Sequence, residues 1–104
     1  MTTTPDVECS IVFRRGLDGL VYLFAPTEPS NGRPRWRRTD LELYLQWTDQ
    51  RGWVVADPTE TVLSRPWDVE PDDQGPLPPQ GVWVSRKGDK AYVYDLAYRS
   101  ASAP

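Results

Sequence analysis

Apolar and polar residues alternate with period two along most of this chain. The clearest stretch is residues 41–47, where Leu41, Leu43, Leu45 and Trp47 alternate with Glu42, Tyr44 and Gln46. A helix would scatter the three leucines around its circumference, so the stretch predicts a half-buried strand. Asn31-Gly32, upstream, is a turn dipeptide because both residues tolerate positive φ. Pro34 fixes φ at the start of the next strand and cannot donate to a ladder. Residues 48–52 have hairpin-loop length and end in Gly, and Trp53-Val54-Val55 then returns antiparallel. Residues 31–57 therefore predict a three-strand meander. Trp47 and Trp53, if on one side, meet across its second turn, and each buried indole would contribute up to about 4–6 kcal/mol.

The same pattern recurs on both sides. Residues 10–14 predict a first strand and residues 20–25 a second, separated by the turn Gly16-Leu17-Asp18-Gly19. In the second, Leu20, Tyr22 and Phe24 share one face while Val21 and Leu23 share the other. Two apolar faces predict a strand covered on both sides. Residues 26–34, with three prolines, read as a loop. Residues 61–64 read as a short strand interrupted by Arg65-Pro66, and residues 67–80 as a long irregular segment of the kind that is functional or mobile. Residues 81–86 and 90–96 form a last hairpin about Lys87-Gly88-Asp89. The fold class is all-β: a single small antiparallel β-domain of seven to eight short strands over residues 10–97, as a curled sheet, barrel or sandwich. Residues 1–9 read as a flexible N-terminal arm and residues 98–104 as a flexible C-terminal tail.

Composition narrows the chemistry. A chain of 104 residues is one domain, and 11 Pro with 7 Gly argue against long helices. Five Trp, five Tyr and two Phe compensate for few aliphatic residues. The net charge of −3 gives a global field that favours neither nucleic acid nor an anionic membrane. The absence of His removes the commonest general base and the commonest metal ligand. The single cysteine, Cys9, excludes an internal disulfide and a multi-thiolate metal site, and it reads as a small core or edge residue. Residues 1–5 lack the charged and apolar regions of a signal peptide, and no apolar run approaches membrane-spanning length. A cytoplasmic protein without cofactor, metal or membrane is the expectation.

Four constellations could carry function. Arg33, Arg35, Arg37 and Arg38 surround Trp36 within six residues. On a strand, Arg35 and Arg37 point one way and Trp36 and Arg38 the other. Arginine forks with an exposed indole bind an acidic surface or stack on a base or sugar, whereas an edge strand uses the same charges to resist sheet pairing. The acidic run Asp68, Glu70, Asp72 and Asp73 lacks the spacing of a calcium loop and reads as solvated, or as a neutraliser of the Arg cluster. Pro76-Leu77-Pro78-Pro79 has the minimal spacing of a polyproline ligand, but it reads first as a stiff connector leading into the last hairpin. Finally, Trp83, Tyr92 and Tyr94 share a face, which is an aromatic platform in a single sheet and an interior surface in a barrel or sandwich. Carboxylates such as Glu42, Asp57 and Asp95 show no spacing that pairs them across a cleft, so no catalytic residue is assigned.

Asn31-Gly32-Arg33-Pro34, the aromatic at Trp36, Leu43-Tyr44-Leu45 with Trp47, Gly52-Trp53, and Pro79 with Trp83 form a pattern. It resembles a small aromatic-rich β-domain, written NGRPxY…W…W…PxxxW, that recurs in multidomain proteins of algae and other protists. Gly19-Leu20-Val21-Tyr22 stands where that domain has a Gly-x-Tyr strand, and Trp36 stands where it usually has Tyr. The resemblance implies an accessory or interaction module and supplies no catalytic residues. The expected function is non-catalytic binding of a partner protein, or of a second copy, through Arg33, Arg35, Trp36, Arg37, Arg38, Trp67, Trp83, Tyr92 and Tyr94. The alternatives are a saccharide or small-ligand domain that stacks on Trp36, Trp67 or Trp83 and, behind it, a small carboxylate-based enzyme.

Overall fold

The period-two stretches become strands, and the strands close on themselves. The computed structural model describes residues 9–30 and 32–99. In chain order the strands are β1 (Ser10–Arg15), β2 (Val21–Ser30), β3 (Arg33–Arg38), β4 (Tyr44–Thr48), β5 (Gly52–Ala56), β6 (Val62–Pro66), β7 (Gly81–Lys87) and β8 (Lys90–Arg99). Each pairs antiparallel with the next, and β8 pairs with β1 through Ser10–Arg99 to Arg15–Tyr94. The result is a small up-and-down β-barrel. Closure gives β3 a neighbour on each side, β2 and β4, so Arg33 to Arg38 do not guard the outer edge of an open sheet.

The interior is aromatic. An eight-stranded barrel has just enough width for its own side chains to fill it. Here Trp36, Trp53 and Trp83 are 0% exposed, with Ile11, Phe13, Phe24, Leu45, Val55 and Leu96 around them. The Trp47–Trp53 pair forms as the meander predicts, with ring centroids 5.8 Å apart at 72°. Trp36 stands 6.1 Å from Trp53, and Phe13 lies 5.1–5.7 Å from Phe24, Trp83 and Tyr94. Each such pair adds about 0.5–1.5 kcal/mol beyond its buried area.

Segment 67–80 closes one end of this barrel and is not a free loop. Trp53 Nε1 donates to the Gly75 carbonyl (3.1 Å) and Trp83 Nε1 to that of Pro79 (2.9 Å). Gln74 accepts from the Trp53 backbone N–H (2.8 Å) and donates to Val69 O (2.8 Å). Gly52, at φ 77°, lets that amide approach: a Cβ there would stand 3.0 Å from Gln74 Cδ and closer still to its Oε1. Pro78 is fully buried and its carbonyl accepts the Tyr98 hydroxyl. The proline run is therefore a packed connector rather than an accessible polyproline ligand.

Several expected boundaries move. β2 continues through Pro26 to Ser30, because beyond Phe24 only β3 flanks it and a missing proline N–H need not break a ladder on the other side. β4 starts at Tyr44, not Leu41; the Arg38 guanidinium grips Asp40 at 2.5 and 3.0 Å and turns the chain, leaving Leu41 exposed. β6 runs through Arg65-Pro66, again past the expected break. β2 is covered on one side only: Tyr22 and Phe24 point inward, while Val21 lies exposed outside. The expected tail loses its first two residues to β8, where Tyr98 packs against the core. Asn31, residues 1–8 and residues 100–104 lie outside the described residues, so the Asn31 half of its turn and both expected arms go with them, while Gly32 holds φ 72°.

Candidate functional site

The Arg-Trp cluster of β3 is dispersed into the barrel wall. Trp36 points inward, is fully buried, and donates through Nε1 to the Cys9 carbonyl at 2.7 Å. It offers no stacking surface, which corrects its expected role. Arg33 lies 4.0 Å over the Trp47 ring and donates to Gly75 O. Arg35 lies 4.0 Å over Tyr44, with its Nε buried and unpartnered among the described residues. Arg38 lies 3.9 Å over Tyr22 and grips Asp40, whose carboxyl the guanidinium holds below its usual range. Three of the four guanidinium groups are thus engaged on aromatic faces of their own chain, and Arg37 alone stands exposed. None pairs with the acidic residues 68–73.

The second expected cluster also turns inward. Trp83 and Tyr94 face the interior, and Tyr92 sits half-buried at one mouth under Arg15, 5.3 Å from its ring centroid. Barrel closure makes this face a core surface, so Trp83, Tyr92 and Tyr94 form no platform. The space left inside, about 50 Å³ lined in part by Ser64, Ser85, Tyr22 and Tyr94, has room for a water or two.

Because Trp83 and Ser85 point inward, Val82, Val84 and Arg86 point outward. Across the ladders they meet Asp95, Val93 and Ala91 on β8, and Val84 meets Arg65 on β6. Trp67 continues the β6–β7 ladder by donating its N–H to Val82 O (2.9 Å), and its side chain is 67% exposed. The β4–β5 turn contributes Arg51. Together these make an open groove of about 820 Å³ lined by Arg51, Arg65, Arg86 and Trp67 with Val62, Leu63, Pro66, Val84 and Ala91. No carboxylate lines it. Among the described residues, no ion pair or side-chain hydrogen bond engages its three guanidinium groups.

Of the nine residues singled out from the sequence, the groove contains Trp67 alone. Arg51, Arg65 and Arg86 were missed because they are far apart in sequence; the β6–β7 pairing and the β4–β5 turn unite them. The outward phase of Arg65 and Arg86 was the one available signal. The candidate carboxylates do not converge: Glu42 accepts the Tyr44 hydroxyl, Asp57 closes the 57–61 turn through Thr59 and Thr61, and Asp95 faces outward opposite Val82. Among the described residues no three acidic or thiol groups gather as metal ligands, and no helix is long and apolar enough to cross a membrane. No protein family, curated protein or solved structure matches this chain.

Proposed function

We propose that this protein is a non-catalytic protein-interaction module that binds its partner through the Trp67 groove. The single observation that carries this is an exposed indole beside three arginines that no carboxylate of the same chain engages. Trp and Arg are the residue types that dominate binding energy at protein interfaces, and a desolvated guanidinium needs an anionic acceptor. The partner surface is therefore acidic with an apolar centre. The resemblance to an aromatic-rich accessory domain points the same way.

The test is capture from source lysate with three baits: wild type, Trp67→Ala and Arg37→Ala. Both substitutions are at exposed sites, so each bait is expected to fold. A protein held by wild type and Arg37→Ala but lost by Trp67→Ala is the expected result. Equal capture by all three would refute the groove as the binding surface. Quenching of Trp67 fluorescence by neutral saccharides, with no protein captured, would instead support the stacking alternative, which now has one exposed indole rather than three.

A further inference from the structure

The groove and the acidic segment lie side by side, yet within one chain they do not pair. Asp68 follows the groove's Trp67 directly, and Asp68, Glu70, Asp72 and Asp73 are all exposed. The segment ends at Gln74, which packs on Gly52, the neighbour of the groove's Arg51. The four carboxylates are thus bracketed by residues at the groove. The ion pairs among the described residues are Arg15–Asp18 and Arg38–Asp40, so neither the four acids nor the three groove arginines take part in one.

We propose that the occupant of the groove is a second copy of this chain. In a two-fold dimer each acidic segment lies on the other copy's Arg51, Arg65 and Arg86, with Trp67, Val82 and Val93 packed near the axis. This deepens the proposed function and rests on it. A two-fold interface must be self-complementary, and this patch carries both signs around an exposed apolar centre. Strand addition is hindered in the barrel, because every strand has a neighbour on each side over part of its length and the stretch of β2 that only β3 flanks carries Pro26 and Pro29, so a face is the better candidate. Charge complementarity favours the second copy because both halves of the match are present in one sequence.

Sedimentation of the full chain tests this, with circular dichroism to show that each variant is folded. Wild type is expected to be a dimer at about 0.1 M salt and to dissociate towards 1 M, as the screening length falls from about 10 to about 3 Å. Arg65→Glu/Arg86→Glu sets acid against acid, and Asp72→Lys/Asp73→Lys sets base against base. Each variant alone is expected to be monomeric, with self-affinity down at least about tenfold. Their equimolar mixture is expected to form a heterodimer, because both contacts in it are again of opposite sign. A monomeric wild type at low salt, a dimer that survives both reversals, or a mixture that stays monomeric overturns the proposal. A monomeric wild type whose capture of another protein still depends on Trp67 overturns self-pairing alone; dimers and captures indifferent to the groove overturn the proposed function as well.

Discussion

Gly52→Ala should be far more damaging than a glycine substitution in an open turn. Gly52 holds φ 77°, a left-handed conformation that costs an L-residue about 1–2 kcal/mol. A Cβ there also overlaps the Gln74 side chain, which accepts from the Trp53 N–H and donates to Val69 O. Displacing it strands a part-buried donor, at about 1–3 kcal/mol. Reduced freedom of the unfolded chain returns about 0.4–1 kcal/mol. The net loss is about 1–5 kcal/mol, centred near 3, and that central value corresponds to a fall in Tm of about 12–24 °C for a domain of this size. Gly19→Ala is the control: Gly19 has φ 75° with nothing within 4 Å of a Cβ, so it should lose only the conformational part. Thermal melts of both variants, and of Gly52→Ala in a Gln74→Ala background, separate the two contributions. Equal losses for Gly52→Ala and Gly19→Ala, or strict additivity with Gln74→Ala, would show that the 67–80 segment does not cap the barrel as described.

Trp36→Phe should cost about 2–3 kcal/mol by urea denaturation, since it leaves a void and removes the 2.7 Å bond to Cys9 O, while leaving groove binding intact. Trp67→Phe should shift the mean tryptophan emission to the blue and reduce acrylamide quenching, because it removes the one indole that is largely in water. The Asp18 carboxyl is held down to about 2 from 3.8, chiefly by its hydrogen bonds from Arg15, so its contribution is present above 3.8 and is lost as pH falls towards 2. The small advantage of wild type over Asp18→Asn in urea midpoint should therefore disappear across that interval, and a difference independent of pH would contradict the pairing.

The fold class was legible because strand pattern is local: period-two alternation placed Trp47 opposite Trp53 and put Trp36 and Arg38 on one side of β3. What local pattern lacks is closure. Nothing within residues 81–96 tells whether the face of Trp83 and Tyr94 is a platform or an interior; the β8–β1 pairing decides it, across most of the chain's length. The site suffered from the same limit. Arg33, Arg35 and Arg38 looked like a ligand surface because they are adjacent, but their rings of contact, Trp47, Tyr44 and Tyr22, come from other strands. Arg51, Arg65 and Arg86 are not singled out by the sequence pattern because they are far apart in the chain, and β6 and β7 are separated by the segment that caps the barrel. The proline run reads as a connector in sequence and is one, but how segment 67–80 is anchored was not legible: its anchors are indole and amide hydrogen bonds made to β5, β7 and their flanks, which composition does not reveal.

The central claim is that the barrel binds protein through the groove and not through the β3 arginines. A photo-reactive benzoyl-phenylalanine placed at position 67, and separately at position 37, tests it directly in source lysate and in the purified chain. Both positions are exposed, and they lie on strands or strand ends separated by β4 and β5. A discrete protein adduct from position 67, whether with another protein or with a second copy, and none from position 37, is the predicted result. Adducts from position 37 alone, or equally from both, would contradict it.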